Sequence, residues 1–504
     1  MSIVDSSARI ANPYLQDVMA PVLTEVTGFD LQVTGQIPEH LHGRYLRNGP
    51  NPVAEVDPAT YHWFSGDAMV HGLALGDGKA LWYRNRWVRT PAVSRALGEA
   101  RIRAVDPRAG MLAVGPNTNV LTHAGRTLSL VEAGCANYEL TEELDTVGTC
   151  DFDGTLYGGY TAHPHRDPET GELHAVSYSF ARANTVQYSV IGTDGRATRT
   201  VDIEVTGAPM MHDFSLTERY VVIYDLPVTF DPVTMAPRAA PRWLQRPARM
   251  VLEAMVGNVK VPGPIQVQLN RNTKTVDTMP FAWNPSYPAR IGVLPRGGTN
   301  EHVRWFEIEP CYVFHPLNAY SERRDDEALV VLDVIRNERM FDRGRHGPNE
   351  GHPTLDRWTI NLTTGAVHTE RRDDRTQEFP RINETLTGRR HRYGYTTGVE
   401  GGLIWDDKPG LLRTALYKHD YQTGGCETAP LDAELVIGEM SFVPNPGAYA
   451  EDDGVLMGYG YHRGLDEGQL LIVDAVTLQP MATVHLPQRV PVGVHGNWAA
   501  AEPR

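Results

Sequence analysis

The segment VQYSVIGTDGRATRTVDI, residues 186–203, contains two short runs that alternate between apolar and polar residues, on either side of a turn at Gly195. Alternation with a period of two is typical of strands with one buried face. An Asp-Gly pair between two such runs favours a tight turn. The segment therefore predicts an antiparallel β-hairpin.

The same pattern recurs in LDRWTINLTTGAVHTERR (355–372), RTALYKHDYQTGGCETAPL (413–431) and LLIVDAVTLQPMATVHLP (470–487), of which only the last lacks a glycine at its turn. These turns follow one another at intervals of about 55 to 59 residues, which predicts repeated antiparallel sheets. A β-propeller accounts for such repeats, because each blade is a small sheet and the closed ring protects the sheet edges. The spacing alone does not set the number of blades.

The composition limits the class of protein. The chain has 504 residues, of which 41% are apolar, and a net charge of -15 without a basic stripe, which argues against nucleic-acid binding. The four cysteines include no CxxC pair, so we expect reduced thiols. The first residues lack the features of a signal peptide, and apolar runs such as 328–335 are too short to span a bilayer. We therefore expect a single cytoplasmic domain over 1–504.

One segment, APRWLQRPARMVLEAMVGNVK (240–260), departs from the strand pattern. Its apolar residues fall at helical spacing: Leu244, Ala248, Val251, Leu252, Met255 and Val256. Pro247 suits a first helical position, so we predict a helical insertion at about 240–260. The helix could pack on a face of the propeller. Alternatively, residues 243–256 and the neighbouring arginines could form an amphipathic patch that contacts membrane lipid.

Four of the 19 histidines occupy strand-like positions among apolar or small residues: His163, His212, His315 and His495. They are 49, 103 and 180 residues apart, which no local metal motif matches. In a propeller, residues of distant blades can nevertheless meet on the central axis. Four imidazoles there would suit zinc, copper, iron or nickel. Each histidine could equally be an ordinary core residue with satisfied hydrogen bonds.

Ordered motifs make the chain resemble the carotenoid cleavage oxygenase family almost from end to end. The motifs are GRYLRNGPNP (43–52), HWFSGDAMVHG (62–72), TAHPHRDPETGE (161–172), MHDFSLTERYVV (211–222), FHPLNAYSE (314–322), EFPRIN (378–383), GEMSFVPNP (438–446) and VPVGVHGNW (490–498). The resemblance implies an all-β, seven-bladed β-propeller with a cap of loops and short helices over one face.

The resemblance also implies an Fe(II) ion held by four histidines, which correspond to His163, His212, His315 and His495. In the HPH motif it selects His163 as the ligand. His165, which follows Pro164, is then a solvent-side or structural residue, since strand side chains alternate between faces and only one of the two is expected to face the interior.

Further site residues follow from the same resemblance. Family glutamates that hold the ligand histidines correspond to Glu132, Glu378 and Glu439, which could otherwise be surface acids. Thr118 corresponds to a threonine beside an open position on the iron. Phe64 corresponds to an aromatic residue of the substrate tunnel, although ordinary core packing would also explain it. Trp63, Trp87, Phe314 and Trp498 are further tunnel or core aromatics that the sequence does not sort.

The activity implied is the cleavage of a C=C bond in a carotenoid or apocarotenoid, with O2 as co-substrate. The apolar polyene would enter through the patch at about 243–256, at the inner face of the membrane. Lignostilbene-cleaving relatives carry a lysine before the first of the three glutamates, where this chain has Val131, which argues against a phenolic stilbene. The same scaffold could also serve a polyene isomerase or a binding protein without catalytic activity.

Overall fold

The computed structural model describes residues 12–100, 115–156, 159–233, 236, 242–255, 257–260, 280–342, 351–400 and 412–501, and most of its regular structure is β-strand. The strands of the first half of the chain are β1 (Thr27–Gly28), β2 (Val33–Gly35), β3 (Gly43–Pro50), β4 (Ala68–Gly76), β5 (Lys79–Trp87), β6 (Asn119–His123), β7 (Arg126–Leu130), β8 (Asn137–Leu140), β9 (Thr146–Cys150), β10 (His165–Arg166), β11 (Leu173–Ser177), β12 (Thr185–Ile191), β13 (Ala197–Glu204), β14 (Ser215–Leu216), β15 (Tyr220–Asp225) and β16 (Val228–Phe230).

The strands of the second half are β17 (Phe281–Trp283), β18 (Arg290–Pro295), β19 (Arg304–Glu307), β20 (Tyr312–Arg324), β21 (Glu327–Asn337), β22 (Thr354–Asn361), β23 (Val367–Asp373), β24 (Gln377–Arg381), β25 (Tyr393–Glu400), β26 (Arg413–Asp420), β27 (Gly425–Thr428), β28 (Leu435–Ile437), β29 (Ser441–Pro444), β30 (Gly454–His462), β31 (Glu467–Asp474), β32 (Pro480–His485) and β33 (Gly496–Ala500).

Seven antiparallel sheets form the blades of a β-propeller, which confirms both the fold and the number of blades. Blade 1 contains β1, β5, β4, β3 and β33; blade 2, β6 to β9; blade 3, β10 to β13; blade 4, β14, β15, β18 and β19; blade 5, β20 to β23; blade 6, β24 to β27; and blade 7, β2, β32, β31, β30 and β28, with β29 also paired to β30. Strands β16 and β17 form a separate two-stranded ribbon.

Strands from opposite ends of the described chain close the ring. The late strand β33 pairs with β3 in blade 1, from Gly43 opposite Ala500 to Arg47 opposite Gly496. The early strand β2 pairs with β32 in blade 7. Each of these two blades is therefore built from both ends of the sequence, so the ring cannot open without breaking strand pairing.

The predicted hairpins are present, and their turns show why glycine recurs. Gly195, Gly365 and Gly424 have positive φ angles of 77°, 84° and 74°, which glycine adopts without steric cost. The turn between β31 and β32 has no glycine, and Leu478 takes φ 58° there. Its side chain is almost fully buried in an apolar cluster, and this burial offsets the backbone strain.

The helices are few and short. Those whose full bounds lie in the described ranges are α1 (Pro91–Ala96) and α2 (Gln245–Met255), with 3₁₀ turns at Pro13–Leu15, Asp17–Met19, Trp63–Ser65, Phe180–Arg182, Arg242–Leu244, Asn300–His302, Glu384–Leu386 and Arg463–Leu465. None of the helices in the described ranges combines the length and the apolar character needed to cross a bilayer.

Helix α2 lies inside the predicted insertion, with two differences from the expectation. It begins at Gln245, so Pro247 is its third residue, still within the first turn, where N–H groups lack intrahelical partners. The apolar side chains of this segment are mainly exposed: Trp243 by 79%, Met250 by 70% and Val251 by 55%. Of the residues predicted to form the apolar side, Leu244 and Val251 are exposed while Ala248 and Leu252 are half-buried, so packing on the propeller is wrong for the first two. The side chains of Met255 and Val256 lie outside the described part.

Candidate metal centre

The four histidines lie on the inner strands of four blades or within three residues before them. His163 precedes β10 in blade 3, His212 precedes β14 in blade 4, His315 lies within β20 in blade 5, and His495 directly precedes β33 in blade 1. Of these inner strands, β14, β20 and β33 lie against the inner strands of neighbouring blades. Residues that are far apart in sequence are thereby brought to one place.

The four side chains are buried, and one ring nitrogen from each lies within 4.8 Å of those from the other three. The ring centroid of His163 is 4.5 Å from those of His212 and His495. The Nε2 atoms of His212 and His315 are 3.2 Å apart. Since imidazole nitrogens bind a metal at about 2 Å, nitrogens on opposite sides of one ion are roughly 4 Å apart, so the four rings are spaced closely enough to share one ion.

The three predicted glutamates each contact a different histidine, always at Nδ1. The distances are 2.8 Å for Glu132 and His212, 2.7 Å for Glu378 and His315, and 3.0 Å for Glu439 and His495. The glutamate side chains are only 12%, 1% and 3% exposed, so these residues are not surface acids. A carboxylate at Nδ1 keeps the proton on that nitrogen and leaves the Nε2 lone pair directed at the centre.

Each blade supplies one residue of this set of four histidines and three glutamates. Blades 1, 3, 4 and 5 carry the histidines. Glu132 follows β7 of blade 2, Glu378 lies in β24 of blade 6, and Glu439 lies between β28 and β29 of blade 7. All seven blades therefore contribute to one cluster of side chains.

Burial and the neighbouring charges set the protonation of these groups. Burial holds the pKa of His163 well below its usual value, and it also lowers the pKa of His495 despite Glu439. Burial acts against protonation of His315 too, but the nearby Glu378 raises its pKa overall. Burial would raise the pKa of Glu439, but the Arg381 guanidinium, His495 and the Gly496 N–H together lower it to about 2.

Two buried ring nitrogens of the centre are without hydrogen-bond partners in the described part of the chain, which bears on whether a metal ion fits between the histidines. Among the described residues, the buried Nε2 atoms of His163 and His495 have no hydrogen-bond partner. A buried polar atom without a partner destabilises a fold, so such atoms call for an explanation. Neutral imidazole nitrogens that converge on one point fit the donor set of a transition metal.

Thr118 and Phe64 both lie beside this centre. The Thr118 carbonyl accepts a hydrogen bond from the His495 N–H at 3.2 Å. The Phe64 ring packs edge-on against Phe314 at 6.4 Å, and Phe314 packs edge-on against His212 at 5.0 Å. Of the other aromatics left unsorted by the sequence, Trp63 and Trp87 lie in apolar clusters, while Trp498 lines the axial cavity described next.

A polar cavity of about 180 Å³ reaches the histidines. His163, His315 and His495 line it together with Glu439, and its wall also contains the charged side chains Arg166, Asp213, Arg381 and Glu384. The two sides of the centre therefore differ: the cavity is polar, whereas His212 is covered by the ring of Phe314, against which Phe64 packs.

Two residues of the EFPRIN segment contact the centre although sequence reasoning assigned them no role. The Phe379 ring lies 6.0 Å from that of His315 and 5.9 Å from that of His495. Its φ of 52° is unusual for an aromatic residue, and such strain is concentrated at functional sites. The Arg381 guanidinium lies 3.7 Å from Glu439. The position of Phe379 and Arg381 within the EFPRIN motif was the one feature of the sequence that could have pointed to them.

Known proteins match this chain along nearly its whole length. Residues 19–500 match the family described as retinal pigment epithelial membrane protein. The chain is 69% identical over 494 residues to a carotenoid cleavage oxygenase of Mycobacterium tuberculosis, covering 98% of each protein. It is 31% identical to a carotenoid 9,10(9',10')-cleavage dioxygenase 1 of Phaseolus vulgaris, covering 99% of this chain and 91% of the relative. Among solved structures, lignostilbene dioxygenase of Pseudomonas brassicacearum superposes with a TM-score of 0.77 at 25% identity, covering 97% of this chain and 98% of that one.

The Arg381–Glu439 pair leads to a prediction about stability and its pH dependence. Replacing Arg381 by Met should lower the free energy of unfolding at neutral pH by about 3 kcal/mol, the lower end of the usual cost of removing one partner of a buried ion pair, because Arg381 keeps 16% exposure. A carboxylate with a depressed pKa stabilises the fold above its unfolded pKa and loses that effect as pH falls through its folded pKa. In the wild type this contribution should decline progressively as pH falls from the unfolded pKa of a glutamate, about 4.3, toward the folded pKa of about 2, whereas in the variant it should be smaller and should disappear at a higher pH.

Denaturant unfolding of both proteins over a series of pH values measures this difference. Arg324→Met is a matched control, because Arg324 is 71% exposed in its pair with Glu322 and should contribute at most about 1 kcal/mol. Equal stability of the two variants at every pH would contradict the assigned role of Arg381.

Proposed function

The chain belongs to the family of the retinal pigment epithelial membrane protein and the carotenoid cleavage oxygenases, and we propose that this oxygenase is a non-haem Fe(II) dioxygenase that cleaves a C=C bond of a carotenoid or apocarotenoid. The observation that carries the proposal is the group of four buried histidines, three of which bond a buried glutamate through Nδ1. His163, His212, His315 and His495 would hold the ion.

The ligand set and the class of reaction together exclude zinc, and the resemblance to the family favours iron among the redox-active metals. Imidazole ligands suit zinc, copper, iron and nickel, but an oxygenase needs a metal that exchanges electrons with O2, which zinc does not. When bound, Fe(II) would supply this redox chemistry. The chain supplies the position of the ion, a buried site and the charge around it. Glu132, Glu378 and Glu439 would offset part of the ferrous charge that four neutral imidazoles leave unbalanced.

The reaction consumes one O2 for each C=C bond, and each of the two new carbonyl groups receives one oxygen atom. Thr118, whose carbonyl is bonded to His495, is proposed to limit access to one side of the ion. Phe64 and Phe314 extend from His212 as an aromatic surface, which suits contact with a rigid, apolar polyene.

The choice of substrate depends partly on residue 131. Val131 belongs to a large apolar cluster with Val176, Tyr178 and Phe180, so this position offers no cation to a phenol. That favours a carotenoid or apocarotenoid over a stilbene. The similarity to lignostilbene dioxygenase makes a stilbenoid the second candidate, and a polyene isomerase would keep the same metal centre.

The proposed substrate also requires a route from a lipid phase. The segment 242–251 exposes Trp243, Met250 and Val251 beside Arg242, Arg246 and Arg249, the combination expected of a helix that lies in a membrane surface with anionic lipids. Peripheral contact with the inner membrane face through about 243–256 is therefore part of the proposal.

Metal content tests the four ligands. His212→Ala and His495→Ala should each abolish stoichiometric iron binding, because each removes one nitrogen from a site that needs all four. His174→Ala serves as the control, since His174 is also buried and hydrogen-bonded, to Tyr188 at 2.8 Å, but lies outside the centre. Elemental analysis of purified proteins should find iron in the wild type and the control only. Iron at full occupancy in either ligand variant would refute the assignment.

Product analysis tests the reaction and the substrate class. Iron-loaded protein should convert an apocarotenal to two carbonyl products, each carrying one labelled atom when isotope-labelled dioxygen is used, and should convert a hydroxystilbene slowly or not at all. Mass spectrometry of the products measures both. Turnover of the stilbene alone would favour the second candidate, and a product of unchanged mass would identify an isomerase.

Vesicle binding tests the membrane contact. The double variant Trp243→Ser, Met250→Ser should bind anionic vesicles at least about 10-fold more weakly than the wild type, because burying one large apolar side chain contributes roughly 1.5–3 kcal/mol. Leu23→Ser with Tyr449→Ser is the control, because both of these apolar side chains are also highly exposed but lie elsewhere. Co-sedimentation gives the affinities. Equal binding by the two double variants would exclude this patch as the contact.

A further inference from the structure

His163 differs from the other three histidines of the centre. The carboxylate facing its Nδ1 is not a glutamate of the set but Asp213, whose Oδ2 lies 3.6 Å away. This distance exceeds that of a hydrogen bond, yet it is too short for a water molecule to lie between the two atoms. The contact is therefore a direct interaction between a buried carboxylate and the imidazole edge.

Two donors fix the orientation of Asp213. Its Oδ1 accepts hydrogen bonds from the Nε2–H of His165 at 2.9 Å and from the N–H of Phe214 at 2.7 Å. Because both donors occupy Oδ1, Oδ2 is the oxygen that faces His163. Asp213 is only 5% exposed, so this arrangement lies inside the protein.

His165 is held in place as well. It begins β10 and pairs with His174 of β11, and its ring packs edge-on against Phe214 at 4.8 Å. The expectation that His163 and His165 face apart is wrong, because His163 precedes the strand and strand alternation does not extend to it. Instead, the two histidines of the HPH motif contact opposite oxygens of the same aspartate.

From this geometry we propose that Asp213, oriented by His165, is the positioning residue for His163 and supplies the fourth carboxylate of the metal centre. The proposal rests on the proposed function, since it assigns a role toward the metal. Asp213 favours the proton on Nδ1 of His163, which leaves the Nε2 lone pair for the ion. His165 acts one step further away, through the orientation of Asp213.

The effect should be measurable in metal binding rather than in activity alone. In His165→Ala and in Asp213→Asn, Fe(II) should pass to an excess of a ferrous chelator about 10-fold faster than in the wild type, the lower end of typical losses for residues behind a ligand. The lower end is expected because 3.6 Å is longer than the three glutamate contacts. Visible spectra of the cobalt-substituted proteins should shift in both variants.

Two further variants separate this role from a general loss of structure. His165→Gln keeps an N–H donor at a similar reach, so it should restore slow iron release and the wild-type cobalt spectrum. His485→Ala removes a histidine from a comparable pair, since Nδ1 of His485 lies 2.8 Å from Glu467 in blade 7, and it should leave both readouts unchanged.

The outcomes distinguish this inference from the function on which it rests. If the wild type binds no iron, the proposed function fails. If the wild type binds iron and His165→Ala releases it at the wild-type rate with an unchanged cobalt spectrum, only the role of His165 and Asp213 is refuted. Should His165→Ala fail to fold, Asp213→Asn decides, because it is isosteric and keeps the acceptor for His165.

Discussion

The contact between a buried carboxylate and the Nδ1 atom of a histidine is the interaction on which the centre depends. It occurs three times as a hydrogen bond, at 2.7 to 3.0 Å. Each contact fixes the orientation of one ring and keeps its proton on Nδ1. The Nε2 atoms of these three rings can therefore converge without N–H groups pointing at one another. Each glutamate also has its own second donor: the Tyr178 hydroxyl for Glu132, the Phe379 N–H for Glu378 and the Gly496 N–H for Glu439. The carboxylates of Glu132 and Glu439 are therefore bonded through both oxygens, whereas that of Glu378 accepts both of its hydrogen bonds at Oε2.

The propeller makes this arrangement possible because it brings one residue from each blade to the axis. A histidine and its glutamate always come from different blades: 2 and 4 for Glu132 and His212, 5 and 6 for His315 and Glu378, and 7 and 1 for Glu439 and His495. The hydrogen bonds therefore link blades as well as orienting ligands. The last pair lies where β33 closes the ring. Closure of the fold and completion of the centre therefore depend on the same stretch of chain, 495–500.

The sequence predicted the parts of this structure that depend on local pattern or on whole motifs. Alternation and glycine turns predicted the hairpins, and the resemblance supplied the blade number and the seven residues around the axis. Contacts between residues of different motifs could not be predicted from the sequence, because neither local pattern nor a single motif encodes them. Arg381 contacts Glu439 across blades, and Phe379, whose backbone has a positive φ, packs near two histidines. Alternation also predicted that His163 and His165 point apart, whereas both contact Asp213, since strand β10 begins after His163. The apolar spacing of α2 predicted a helix but could not say whether its apolar side was covered.

One side of the centre is a polar cavity and another is aromatic, and this difference limits how the proposed substrate could reach the centre. The axial cavity is lined by Arg166, Asp213, Arg381 and Glu384, and a polyene placed there would remove water from charged groups without replacing their hydrogen bonds, which is unfavourable. On His212, by contrast, the rings of Phe314 and Phe64 present carbon, and an apolar chain gains contact with them without that loss. The same reasoning assigns the polar cavity to water and small polar molecules. The proposed substrate would therefore avoid this loss over His212, on the side of Phe314 and Phe64, rather than in the polar cavity, which Asp213 and Glu439 line.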